Sequence, residues 1–410
     1  MNKTGWGRWV ALVLVLVGLG GVWYGHRQVT TKNQAQQVVT NHRHAKKTKQ
    51  DIAHEAAISR AKRPKKKSAF DRENLGQRHP QFAAAFTQKL RNKRFSGTAL
   101  VVKDDRVIYQ RSFGMANAAK KRRNKVTSQF LVNSIQKSMT GTLVMRAVQA
   151  GQLQLTDRLG QYYPTIKDAD KVTLRQLLDM QGGVVGDMNP TTTLTERGVY
   201  RYAAEHARVD QAWVNKFNYQ PISYVLLAGI LNQVTHDSYY QAFYEHIVTP
   251  LDLNHTSFAQ LRSRIKGMTL GYAGTMPGDY SNPVKPAMRA LEAEVGTGNV
   301  TMSAGDVFRT ERALIQGTLL PTASGAGVLH ESNAPAETYS GGMYHLGKVG
   351  YYGHGIGDFY EGAFSLSKNG RTGVVLLSNN FYKKTMWPDW SIESLTKATF
   401  KQVLTTAKLK

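Results

Sequence analysis

The chain has 410 residues, 41% of them hydrophobic and 20% charged, enough apolar material for a sizeable core, which excludes wholesale disorder and a purely fibrous protein. Lysine and arginine number 54 against 28 aspartates and glutamates, a formal charge of +26, and such an excess points to a polyanionic partner: nucleic acid, an anionic membrane or an anionic wall polymer. Cysteine is absent, so disulfides, thiolate metal sites and cysteine nucleophiles are excluded.

Residues 9–24 (WVALVLVLVGLGGVWY) carry no charge, with Trp6 and Trp9 at one end and Trp23 and Tyr24 at the other. An apolar run with aromatic ends predicts a transmembrane anchor, with residues 1–8 as a short cytoplasmic N-terminus. The residues that follow, Gly25 to Gln28, offer no small-x-small cleavage site, which favours an uncleaved anchor over a signal peptide. Residues 25–70 are polar and aperiodic, with ten Lys or Arg between His42 and Lys67 against Asp51 and Glu55, and read as a solvated basic tether. Residues 1–70 hold fourteen basic and two acidic residues, so +12 of the charge lies there and +14 on the other 340 residues. No aromatic-interleaved basic motif accompanies the run, which sets nucleic acid aside.

Residues 71–410 read as one extracytoplasmic globular domain without internal repeats. Gly97 to Gln110 alternates apolar residues around Asp104-Asp105, and AFSLSKNGRTGVVLLSNN does so around Asn369-Gly370, each the mark of a hairpin. Helical stretches are expected at 134–149, 224–234, 239–247 and 306–315, with a last helix over 392–405. The expected fold is α+β: an antiparallel sheet drawn from both chain ends, flanked by helices, plus an all-helical lobe.

Gly-x-Ser-x-Gly, His-Glu-x-x-His and a phosphate-binding glycine loop are all missing. Ser-x-x-Lys occurs five times, at Ser59, Ser134, Ser263, Ser365 and Ser394. Ser59 lies in the tether, Ser365 on an expected strand where i and i+3 face opposite ways, and Ser263 and Ser394 in polar surroundings. Ser134 opens a helix with an apolar stripe of Ile135, Met139, Leu143 and Ala147, so Ser134 and Lys137 fall one turn apart on one face. There the helix N-terminus favours an oxyanion, and a lysine in apolar surroundings can act as base toward the hydroxyl. The plainer reading is a serine near a helix cap with a surface lysine.

FLVNSIQKSMTG (130–141), GQLQLTDRLGQYYP (151–164), VTLRQLLDMQGG (172–183), FNYQPISYVLLAGIL, IVTPLDLNHTSF, GTGNVTMSAGDVFR and YYGHGIGDFYEGAFSLSKNG follow one another in an order that resembles the serine β-lactamase-like family. That family includes penicillin-binding proteins, class C β-lactamases and related esterases. The resemblance implies Ser134 as acyl-forming nucleophile, Lys137 as its base and Tyr219 as proton relay. It implies His354 as a substrate-binding or polarising group, and the Ser134 N–H with a strand N–H, taken as that of Gly357, as oxyanion hole. No cofactor or metal is implied.

Two departures stand out. Tyr219-Gln220-Pro221 replaces Tyr-x-Asn, removing the side-chain amide that grips a substrate amide, and His354-Gly355-Ile356 puts a branched side chain where the family has glycine. Both suit an ester better than a peptide. The closest likeness in character is to membrane-anchored esterases that remove D-alanine from teichoic acids, which implies an anionic wall polymer, lipoteichoic or wall teichoic acid, as partner. The alternatives are a D-Ala-D-Ala carboxypeptidase or weak β-lactamase, and a non-catalytic wall-polymer-binding protein. Oligomeric state is left open.

Overall fold

The computed structural model describes residues 68–263, 265–331, 339–380 and 391–406. The expected anchor and nearly all of the expected tether lie outside them; among the described residues no helix is long and apolar enough to cross a membrane. Phe70, counted with the tether, is buried and stacks on Phe308 at 5.4 Å, following a turn capped by Ser68.

Helix α1 (Pro80–Asn92) starts on a proline whose fixed φ suits the first turn, and buries Phe82, Phe86 and Leu90. Strands β1 (Gly97–Lys103) and β2 (Arg106–Phe113) form the expected hairpin. Its two turn residues, Asp104 and Asp105, both have positive φ (49° and 64°), as a twist-matched two-residue turn requires. The chain then gives the short strand β3 (Phe130–Leu131), a 3₁₀ turn (Asn133–Ile135) and helix α2 (Gln136–Gln149). Helix α3 (Leu174–Leu178), strand β4 (Gly182–Gly186), helix α4 (Glu196–His206), strand β5 (Ala207–Val214) and helix α5 (Ile222–Thr235) follow. Next come α6 (Tyr239–Phe243), β6 (Thr256–Phe258), β7 (Val300–Met302), α7 (Ala304–Ile315) and α8 (Ser324–His330). The chain closes with β8 (Tyr339–Ser340), β9 (Met343–His345), β10 (Gly350–Gly357), β11 (Tyr360–Ser367), β12 (Gly373–Ser378) and α9 (Ile392–Thr405).

The main sheet has seven strands in the order β8-β9-β10-β11-β12-β1-β2, every pairing antiparallel. Period-2 alternation divides its side chains between two cores. Leu100, Val102, Phe364, Leu366, Val375 and Leu377 join the core of the lobe that contains α2 and α5. Ala99, Val101, Ala363, Val374 and Leu376 pack with residues of α1 and α9 on the other face.

The lobe is not all-helical. Strands β4 and β5 pair with each other across α4, and β3-β7-β6 make a second small sheet. Gly183 permits the first pairing, with φ +63° and a position where a Cβ would lie 2.5 Å from the Asp210 carbonyl oxygen.

Candidate active site

Helix α2 is enclosed on nearly all sides, its polar residues as well as the apolar stripe. Most of its buried polar side chains find a partner from distant sequence, and Thr142 donates within the helix to the Ser138 carbonyl at 3.0 Å. The Gln136 side chain donates to Asn299 Oδ1 at 3.1 Å and accepts from Val300 N at 3.0 Å. Thr140 donates to the Gly296 carbonyl at 2.6 Å, and Ser138 to Glu311 Oε1 at 2.9 Å. Burial pushes the Glu311 carboxyl well above the usual carboxylate range, against the opposing effect of its hydrogen bond with Ser138.

The turn that leads into α2 starts at Asn133 with φ +48°, a conformation asparagine adopts more readily than most residues. Ser134 follows at the N-terminal end of the helix, and Lys137 one turn on donates from Nζ to Ser134 Oγ at 2.8 Å. Lys137 Nζ, on a side chain with 1% exposure, also donates to the Thr297 carbonyl at 3.2 Å and lies 5.1 Å from the centroid of the Tyr219 ring. Among the described residues no carboxylate forms an ion pair with it. Tyr219 comes just before α5, and its ring meets Tyr339 edge-on at 5.9 Å. The sequence pattern therefore brings Ser134, Lys137 and Tyr219 into one cluster. Thr297 and Tyr339 were missed; the only trace of Thr297 was its place between Gly296 and Gly298, in the block that resembles a family turn.

Strand β10 runs against the turn that carries Ser134. A Cβ on Gly355 would lie 2.1 Å from the Val132 carbonyl oxygen and 3.0 Å from Ser134 N, so only glycine fits there. Gly357 shares that face, and its carbonyl accepts from Asn133 Nδ2 at 3.4 Å.

The structure does not bring His354 to this cluster. His354 is in register with Ala363, which belongs to the core on the α1–α9 side, whereas its neighbour Gly355 faces Ser134. The imidazole Nε2 lies 3.0 Å from Glu361 Oε1 and Nδ1 lies 3.6 Å from Glu393 Oε2 on α9. Ile356 is in register with Glu361, so its branched side chain also projects away from the nucleophile and is 43% exposed. The residue that lies against Ser134 is Gly355, and the expected loss of backbone access at 356 does not follow.

The other Ser-x-x-Lys serines among the described residues offer no comparable pair. Ser365 is buried in β11, and Ser394 caps α9 through Ser391 while Lys397 pairs with Glu393. Pro221 occupies the N-cap of α5, and the Gln220 amide donates to Asn218 Oδ1 at 3.3 Å. A buried lysine amino group beside a hydroxyl at a helix N-terminus, with a phenol ring alongside, is an arrangement suited to acyl transfer through serine.

Residues 82–392 match the model of the beta-lactamase family. A putative penicillin-binding protein, PbpX, of Bacillus subtilis is 28% identical over 285 residues, 70% of this chain and 71% of its own. A teichoic acid D-alanine hydrolase of Staphylococcus aureus is 24% identical over 307 residues, covering 71% of this chain and 72% of its own. Among solved structures, FmtA of Staphylococcus aureus superposes with a TM-score of 0.72 at 20% identity over 90% of this chain and 97% of that one. An octameric penicillin-binding protein homologue of Pyrococcus abyssi gives a TM-score of 0.61 at 20% identity, over 73% of each chain. With the family model spanning most of the folded chain, this protein belongs to the beta-lactamase family of serine hydrolases.

Proposed function

We propose that the protein is a membrane-anchored, extracytoplasmic serine esterase that hydrolyses D-alanyl esters of teichoic acid. The observation that carries this reading is Pro221 at the N-cap of α5, beside an otherwise complete Ser134–Lys137–Tyr219 cluster. Proline has no side-chain amide to grip a peptide-like substrate, while the groups for acyl transfer stay in place. The similarity to a teichoic acid D-alanine hydrolase and the net positive charge of the folded part support the same reading.

In this mechanism Lys137, acting as the neutral amine, takes the Ser134 proton as Oγ attacks the D-alanyl carbonyl, forming the Ser134–acyl bond. The ester C–O bond breaks, and the polyol hydroxyl leaves with a proton delivered through Tyr219. The N–H groups of Ser134 and Gly357 receive the oxyanion. Water, deprotonated through Tyr219, then cleaves the acyl-serine to free D-alanine and restores the hydroxyl. Full-length protein in detergent, given D-alanylated lipoteichoic acid, should release D-alanine, and Ser134→Ala should not; release by neither would overturn the reading.

A second reading is D-Ala-D-Ala carboxypeptidase, favoured by the similarity to PbpX. It predicts stable labelling of Ser134 by a penicillin and trimming of muropeptides, neither of which the esterase reading expects.

A further inference from the structure

Helices α4 and α5 pack side by side, and between them opens a cavity of about 390 Å³, within the size range of ligand sites. Arg197 and Arg201, one turn apart on α4, stand at its rim with Gln233 and His236 from the end of α5, all four exposed; the buried Tyr163 and Tyr200 form the floor. Neither arginine makes a hydrogen bond or ion pair with another described residue. The neighbouring carboxylate forms no ion pair with either: Glu196 feels the charge of Arg197 but is turned inward. It accepts from Tyr200 Oη at 2.8 Å, Tyr239 N at 2.7 Å and Ser238 Oγ at 2.6 Å.

The floor has little left to offer a polar ligand. The Tyr163 hydroxyl donates to the Leu226 carbonyl at 3.2 Å and the Tyr200 hydroxyl to Glu196, so the rings present mainly carbon. Gly229 allows this close floor, since a Cβ there would lie 2.1 Å from Tyr163 Oη. Two free guanidiniums over aromatic carbon suit an anionic head with short carbon arms, because the planar fork of arginine matches phosphate oxygens and the rings take the carbons. Helix α5 runs from beside Tyr219 to this cavity over 14 residues, roughly 20 Å.

We propose that the cavity between α4 and α5 binds a phosphodiester flanked by polyol, a second grip on the polymer remote from Ser134. The assignment to the polymer rests on the D-alanyl esterase reading; the binding of a phosphodiester does not. The test is calorimetric titration of full-length protein in detergent at low salt with glycerophosphoglycerol and, separately, inorganic phosphate. The diester should bind saturably and more tightly than phosphate, and Arg197→Gln/Arg201→Gln should weaken it about tenfold. The charge-matched Lys89→Gln/Arg91→Gln on α1 should change it less than about twofold, with unfolding temperatures reported for both variants. Equal effects of the two pairs, or no saturable binding, overturn the site; equal affinity for inorganic phosphate overturns its assignment to a polymer. On D-alanylated polymer the Arg197/Arg201 variant should raise KM about tenfold at little-changed kcat. If no D-alanine is released by wild type, the esterase reading fails while the diester titration still decides the cavity.

Discussion

Lys137 Nζ lies 2.8 Å from Ser134 Oγ, and the two residues come from a single turn at the entry of a helix that is buried on nearly every side. Because the helix is fixed by Gln136, Ser138 and Thr140 through partners near residues 296–311, the pair is held in place before any substrate arrives. Lys137→Met keeps the volume and removes the proposed base. It should lower kcat for D-alanyl ester hydrolysis by about 10³-fold with KM little changed, measured by steady-state release of D-alanine.

Tyr219→Phe keeps the ring against Tyr339 and removes only the hydroxyl. The unfolding temperature should stay within about 2 °C, while kcat falls about 10²-fold. If the acyl-enzyme then accumulates, seen on intact protein as an adduct of about 71 Da from the D-alanyl group, the phenol acts in deacylation as well as acylation.

His354 ties β10 to β11 and α9 through Glu361 and Glu393. Truncation to alanine strands the Glu361 carboxylate, which is 2% exposed and already has an unpartnered oxygen. His354→Ala should therefore cost about 1–3 kcal/mol in urea unfolding, and adding Glu361→Gln should restore part of it. Activity on a small ester, assayed where the variant is folded, should fall less than about tenfold; a loss of about 10³-fold would place the imidazole at the substrate after all.

Gly355→Ala would push a methyl group against the Val132 carbonyl and the Ser134 amide. The expected outcome is about 1–3 kcal/mol of lost stability together with a fall in kcat, because the strand and the nucleophile turn cannot both keep their positions. Chemical denaturation and single-turnover acylation measure the two effects separately.

His330 is buried, with Nδ1 3.2 Å from the Ser340 carbonyl oxygen, and burial pulls its pKa down to about 4, with His345 and Arg175 adding to the fall. The unfolded chain takes up this proton near the ordinary value of about 6.5, so the stability tied to a neutral His330 is complete above about 6.5 and is lost as pH falls toward 4. At pH 5 the loss is about 2 kcal/mol. Asp179, raised to about 6 by burial, acts in the opposite sense. The readout is therefore the difference between wild type and His330→Asn in urea unfolding, which should shrink by about 2 kcal/mol from pH 7 to pH 5.

What the sequence made legible was local. The Ser134–Lys137 spacing, the Asp104-Asp105 turn and the final helix, expected over 392–405 and found at Ile392–Thr405, depend on neighbours a few residues away. The face of β10 on which His354 lies was not legible, because strand parity is set by its register with β11, a tertiary fact. The β4–β5 hairpin was hidden by α4 between its strands, and α4 itself by its charged surface. The burial of the polar side of α2 was not legible, because the partners of Gln136 and Ser138 lie far along the chain.

The pairing of Gly97 with Ser378 places nearly the whole folded chain between two adjacent strands of one sheet. Strands β1 and β2 can join early through their short turn, but the inner edge of β1 stays open until β12 has been made and carried back to it. Closing so long a loop is slow, and an open strand edge invites pairing with other chains in the interval. Refolding from denaturant is thus a race between completion of the lobe, which brings the two ends together, and aggregation through that edge.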